Sequence, residues 1–167
     1  MANASSELIS NRALTPRVAN QPYNNARIKT TGVGIIEVST ASDVGHILRF
    51  CQVASNAVIK QVLLSCDAVA VSGAMDLGLY QTVDNGSAVV DADYFASAQV
   101  VTSALVDTNV AHESAVYGIE DKDKPLWEAL GLASDPGIWY DVAGTVTTDM
   151  GGAGTLCVEV TYVDAGA

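Results

Sequence analysis

Hydrophobic and polar positions alternate most regularly between Val58 and Gln81. From Val58 to Ala70 the even positions are Val58, Lys60, Val62, Leu64, Cys66, Ala68 and Ala70. The odd positions carry Gln61, Ser65 and Asp67 among the apolar Ile59, Leu63 and Val69. A period of two sends these sets to opposite faces of a sheet and predicts a strand with the even set inward. Ser72-Gly73 breaks the pattern, which resumes with Met75, Leu77 and Leu79 inward and Asp76, Tyr80 and Thr82 outward. It stops at the turn residues Asp84-Asn85-Gly86-Ser87.

The same reading extends in both directions. Gly32 to Thr40 is β-branched and predicts the first strand. His46 to Ala54 predicts the second, with Leu48 and Phe50 on one face and Ile47, Cys51 and Val53 on the other; both faces are partly apolar, so its inward side stays open. Ala88-Val89-Val90 predicts a short strand leading into a helix over Asp91–Ala98, where Asp91 is suited to cap the first amides. Gln99–Val106 and Val110–Val116 are further strand candidates. After the charge run Glu120–Lys124, Pro125 opens a second short helix with Leu126, Trp127 and Leu130 on its apolar side and Gly131 as its stop. Asp135-Pro136-Gly137 predicts a turn. Two strands close the chain. In the first, Ile138, Tyr140, Val142 and Val146 alternate with Trp139, Asp141, Thr145 and Thr147; in the second, Leu156, Val158, Val160 and Tyr162 alternate with Thr155, Glu159 and Thr161. Seven or eight short strands between glycine-rich turns predict an all-β domain, a β-sandwich of which the jelly roll is one form, with two short helices. Helices this short do not supply the crossovers of a parallel sheet.

Met1 to Lys29 shows no such period and holds five asparagines with Pro16 and Pro22. We therefore expect residues 1–31 to form an extended N-terminal arm and residues 32–167 a single β-sandwich domain. Charge sets the two apart. Arg12, Arg17, Arg27 and Lys29 face one acid, Glu7, in the first 29 positions, a net of +3; the rest sets Arg49, Lys60, Lys122 and Lys124 against eighteen acids, a net of −14. An acidic body repels phosphates, and four dispersed basic residues are too few for a nucleic-acid tail. The arm reads either as a disordered terminus or as a segment that orders on a protein neighbour. In the second case Arg12, Leu14, Arg17, Val18, Tyr23, Arg27 and Lys29 are the partner-binding residues, with Leu8 as a further scattered anchor.

Catalytic motifs are not found. His46 and His112 accompany no G-x-S-x-G nucleophile, although His112 precedes Glu113. Asp91/Asp93 and Asp121/Asp123 are D-x-D pairs without an EF-hand frame, and read as caps and solvated turns. Gly151-Gly152-Ala153-Gly154 follows neither a Walker nor a dinucleotide pattern and reads as a hairpin loop. Cys51, Cys66 and Cys157 form no C-x-x-C and no zinc spacing, and read as reduced cysteines with Cys66 in the core. We expect no catalytic, cofactor-binding or metal-binding residue, and no cofactor. No apolar run approaches the ~20 residues of a membrane span, and no basic-then-apolar leader points to secretion. Outward Tyr80 and Trp139 are candidate interface aromatics, or a stacking platform for a sugar.

Three segments carry a resemblance: Asp76–Thr82, then Ala88–Ser97, then Pro125–Leu132 followed by Asp135–Val142. Over about Ala57–Val163 the chain resembles tailed-bacteriophage virion structural proteins of the capsid decoration, or cement, type. The resemblance implies a β-sandwich that forms a homotrimer over capsomer junctions and bridges major capsid protein subunits. It also implies a place on the outer surface of the virion capsid after synthesis in the host cytoplasm; the acidic charge and the lack of a long apolar run lead us to expect no nucleic-acid or membrane partner. The alternative is a carbohydrate-binding β-sandwich of a phage tail or host-surface protein, with Tyr80, Trp139 and nearby acids as its platform.

Overall fold

The computed structural model describes residues 30–38, 42–68 and 72–164. The proposed arm residues Arg12, Leu14, Arg17, Val18, Tyr23, Arg27 and Lys29 lie outside these segments. Among the described residues eight strands form: β1 (Thr30–Val38), β2 (Ile47–Ala54), β3 (Ala57–Cys66), β4 (Ala74–Gln81), β5 (Val89–Val100), β6 (Leu105–Asn109), β7 (Trp139–Thr148) and β8 (Gly154–Asp164). They make two four-stranded antiparallel sheets, ordered β1-β8-β3-β6 and β2-β7-β4-β5. Strands pair first with eighth, second with seventh, third with sixth and fourth with fifth, alternately in one sheet and the other. That is one long antiparallel ribbon rolled around a barrel axis, so the β-sandwich is a jelly roll.

The core lies between the sheets. Val62, Leu64, Leu156, Val158 and Val160 come from the first sheet, and Val53, Met75, Leu77, Leu79, Tyr140, Val142 and Val146 from the second. The period-two reading of β4, β7 and β8 therefore matches the inward faces. In β3 it holds only after a bulge between Ile59 and Gln61. Before the bulge Ala57 and Ile59 face the core. The extra residue switches the phase, so Lys60 does not point inward as expected and its Nζ donates to the Lys122 carbonyl at 2.8 Å. The strand ends at Cys66, short of the expected Ala70, and Ala68 is exposed.

Four further expectations change. The helix over Asp91–Ala98 is not formed; these residues belong to the twelve-residue strand β5. Pairing with β4 and burial of Tyr94, Phe95 and Ala96 outweigh a local alanine-rich preference. Val110–Val116 is a run of turns rather than a strand, anchored by buried Val110 and Ala111. Gln99–Val106 is split between the end of β5, a bend and the start of β6. Of the two helices only the second forms, as the single turn α1 (Leu126–Ala129), flanked by Pro125 in an extended conformation and Gly131 at φ +72°. The first strand also starts at Thr30, two residues before the expected Gly32.

Two close approaches fix the roll. A Cβ at Gly34 would stand 2.2 Å from the Phe50 carbonyl oxygen, where the edges of the two sheets meet. One at Gly78 would stand 2.1 Å from the Asp91 carbonyl oxygen, where β5 bends across β4.

Candidate binding surface around Trp139

The start of β7 is tied to the neighbouring turns by several hydrogen bonds. Gly137 takes φ +64°, and its amide donates to Asp135 Oδ1 at 2.9 Å, which turns the chain into the strand. The Ser55 hydroxyl donates to the same carboxylate oxygen, and the Ser55 amide donates to the Ile138 carbonyl at 2.8 Å. The β2–β3 turn is thus tied to the entry of β7. Trp139 then pairs across from Ala54 on β2 and points outward, 49% exposed. Two shallow depressions flank it and share Gly137, Ile138 and Trp139. One, of about 280 Å³, adds Gln52, Thr82, Asp84 and Asn85. The other, of about 260 Å³, adds Ala54, Ser55, Asn56, Asp135 and Asp164. Among the described residues no lysine or arginine lines either one.

Further along the same face, Asp141 is buried and accepts a short charged contact from Arg49 Nη1, with Gln52 Nε2 donating to its other oxygen at 2.9 Å. Arg49 also donates to the Gln81 carbonyl at 3.0 Å. Its guanidinium carbon lies 5.5 Å from the centroid of the Tyr80 ring. The Tyr80 hydroxyl contacts Thr145 Oγ1. Tyr80 thus stands on the outward phase of β4 as its alternation predicts, yet only 1% of it is exposed because Arg49 and its partners lie over it. The pair of outward aromatics is corrected to one, Trp139. The covering network has no signature in the sequence, since Arg49 and Asp141 are 92 positions apart. Beside it, burial pushes the Cys51 thiol up to about 11, helped by the charges of Asp141 and Cys157.

The other ionisable candidates are tied into structure. His112 Nδ1 is 2.8 Å from the Tyr117 carbonyl, and its ring stacks on Tyr117 at 5.1 Å. Glu113 turns elsewhere, its Oε2 accepting the Ser97 amide at 2.7 Å. Asp91 accepts the Asp93 amide at 3.3 Å; its pKa is raised by burial and by the neighbouring Asp93. Asp121 accepts Lys124 Nζ at 2.7 Å and the Gly118 amide at 3.2 Å, closing the turn beneath Tyr117. His46 is exposed, its amide on the Asp43 carbonyl at 3.1 Å. Among the described residues no group of three or more His, Cys, Asp or Glu converges as metal ligands would. No helix among them is long and apolar enough to cross a membrane.

A second exposed region lies on the outer face of the first sheet. Edge strand β1 turns Val33 and Ile35 outward, 54% and 66% exposed, opposite Glu159 and Cys157 of β8.

Neither a family model nor a curated protein matches the sequence. Among solved structures, a chain of the Cyanophage Pam1 capsid asymmetric unit is similar, at 14% identity and a TM-score of 0.47 over 83% of this chain and 94% of that one.

Proposed function

We propose that the chain is a non-enzymatic virion structural protein that decorates and stabilises a bacteriophage capsid by bridging major capsid protein subunits. The observation that carries this reading is the continuity of the basic N-terminal segment with β1. The segment of net charge +3 runs straight into an edge strand whose outward Val33 and Ile35 no other part of the described fold covers. An edge strand with an apolar outward face is a ready surface for another subunit, and the arm extends it. The jelly roll supports the reading by analogy alone, since the same architecture also serves lectins. The resemblance of Asp76–Thr82, Ala88–Ser97, Pro125–Leu132 and Asp135–Val142 to decoration proteins adds the partners: major capsid protein and a homotrimer of the chain itself, on the capsid outer surface. Arm residues such as Arg12, Leu14, Arg17 and Val18 would reach a neighbouring subunit, their charges steering and their apolar side chains holding.

The test mixes purified chain with undecorated particles and measures its native mass, its sedimentation with the shell and the temperature at which the shell opens. A trimer that co-sediments and raises that temperature is expected. A chain that stays in the supernatant and leaves the shell unchanged overturns the proposal. The carbohydrate-binding alternative is favoured by Trp139 between two polar depressions and weakened by the burial of Tyr80. A glycan array separates the two readings, because a decoration protein binds shells and no sugar.

A further inference from the structure

We infer that residues Tyr23–Lys29 of the arm dock on their own chain, across the two depressions beside Trp139. The inference rests on the reading of the arm as a binding segment, and it divides that arm. Its last seven residues are held by the body that carries them, and only the part around Arg12–Val18 is left to reach a neighbour.

Four observations converge. First, the chain before Thr30 arrives at the right end of the sandwich. Thr30 pairs with Tyr162, and two residues further along β8 stands Asp164, on the rim of the second depression. Ala57, which starts β3 after the Ser55-Asn56 turn, pairs with Asp164 as well, so the same end of the molecule carries the whole Trp139 surface. Second, the charges match. Arg27 and Lys29 are the cations nearest the strand, and the two depressions present Asp84, Asp135 and Asp164 with no basic residue between them. Third, the segment brings apolar groups, Tyr23 and Ile28, to a surface whose centre is a half-exposed indole. Fourth, seven residues span at most ~25 Å, against sheets that pack ~10 Å apart. A tether that short sets the effective concentration of the docked segment in the millimolar range, about the highest a flexible link provides. The owner's arm therefore outcompetes the arm of a neighbouring copy for this surface.

The experiment uses Trp139 as its own reporter. The chain has two tryptophans, so Trp127→Phe leaves Trp139 as the sole tryptophan, read by excitation at the red edge where tyrosine does not absorb. In that background the full chain is compared with versions lacking residues 2–22 and 2–29. The readouts are the emission maximum and quenching by acrylamide, a neutral quencher that the acidic body does not repel. Full chain and the 2–22 deletion are expected to match. The 2–29 deletion is expected to shift emission to the red and quench more strongly, at every protein concentration. In the full chain, Asp84→Asn with Asp164→Asn is expected to move both readouts towards the 2–29 deletion without loss of the strand circular-dichroism signal, so the test does not hang on the truncated chain folding. Equal quenching in all forms overturns the inference. So does shielding that fades on dilution, which assigns the surface to a neighbour's arm, or shielding that appears only with a saccharide. No particle enters this experiment, so its failure leaves capsid decoration standing, and failed decoration leaves a shielded Trp139 unexplained by anything but docking.

Discussion

Arg49 shows how one side chain can reverse a correct periodic reading. Tyr80 is in the outward phase of β4, but the guanidinium that lies over its ring is held by the Gln81 carbonyl and by Asp141, to which Gln52 also donates. Asp141 is buried and depends on that cation. Arg49→Ala leaves the carboxylate in place without its counter-charge, and we expect a loss of about 2–3 kcal/mol in urea unfolding, since Arg49 is partly solvated and the pair sits below the full cost of a deep one. Arg49→Ala with Asp141→Asn should cost less than the two single losses added. Asp91 gives the opposite sign. Burial, then Asp93, raises its pKa, so the native state takes up this proton more readily than the unfolded chain. The resulting cost is present above the raised pKa and fades as pH falls through it. Asp91→Asn is therefore expected to unfold at a slightly higher temperature at pH 7, with the gain disappearing in acid. The Arg49–Asp141 pairing is not legible in the sequence, because it depends on which distant residue the fold brings alongside; for Asp91 the neighbour Asp93 is visible there and the burial is not.

Among the elements, β4, β7 and β8 are readable because nothing interrupts their inward phase. β3 and β5 are not, and bulges are the reason. Between Met75 and Leu77 the partners jump from Gln99 to Ala96, so β5 carries an extra residue, with Ala98 at φ +49° and its amide on Asp76 Oδ1 at 2.7 Å. The alternation needed to recognise the strand is thereby scrambled, and the alanines and Asp91 present a helical pattern instead. Ala98→Gly should relieve the left-handed backbone and stabilise by about 0.5–1 kcal/mol, read as a raised denaturant midpoint with an unchanged slope. Gly34→Ala should do the reverse. Its methyl would collide with the Phe50 backbone, and we expect a loss of roughly 3 kcal/mol or more in thermal unfolding. The glycine itself is visible in the sequence, but the strand edge that needs it is not.

For the whole molecule, strand number and sheet layering follow from the sequence pattern, while strand order does not, since pairing is a relation between distant segments. The surface around Trp139 was legible only as one outward aromatic; its depressions come from loops that converge from β2–β3, β4–β5 and the approach to β7. The charge division between residues 1–29 and the rest of the chain is a property of the sequence itself. It predicts that removing residues 2–27 leaves a folded body, because the rolled ribbon starts at Thr30. That body should bind particles more weakly than the full chain and dissociate as the shell is warmed. Its remaining binding should respond less to added salt, because Arg12 and Arg17, the cations left to reach a neighbour, both lie within the deletion. Equal shell protection by the truncated chain would make the arm dispensable.

The nested pairing of the ribbon also orders events in time. The β4–β5 hairpin closes across a short turn, whereas Thr30 must find Tyr162 across nearly the entire described chain. Closure entropy grows with the length of the loop, so each outer pair becomes inexpensive only once the pair inside it has formed. Folding should zip outward from β4–β5 to β1–β8, slowly, on the millisecond-to-second scale of folds rich in distant contacts (about 10⁻³–1 s). Pulse-labelled amides of β1 would then gain protection last. Until that moment the chain exposes the unpaired side of β8 while its own first strand is still free, and a nascent copy is most open to taking its final strand from another copy.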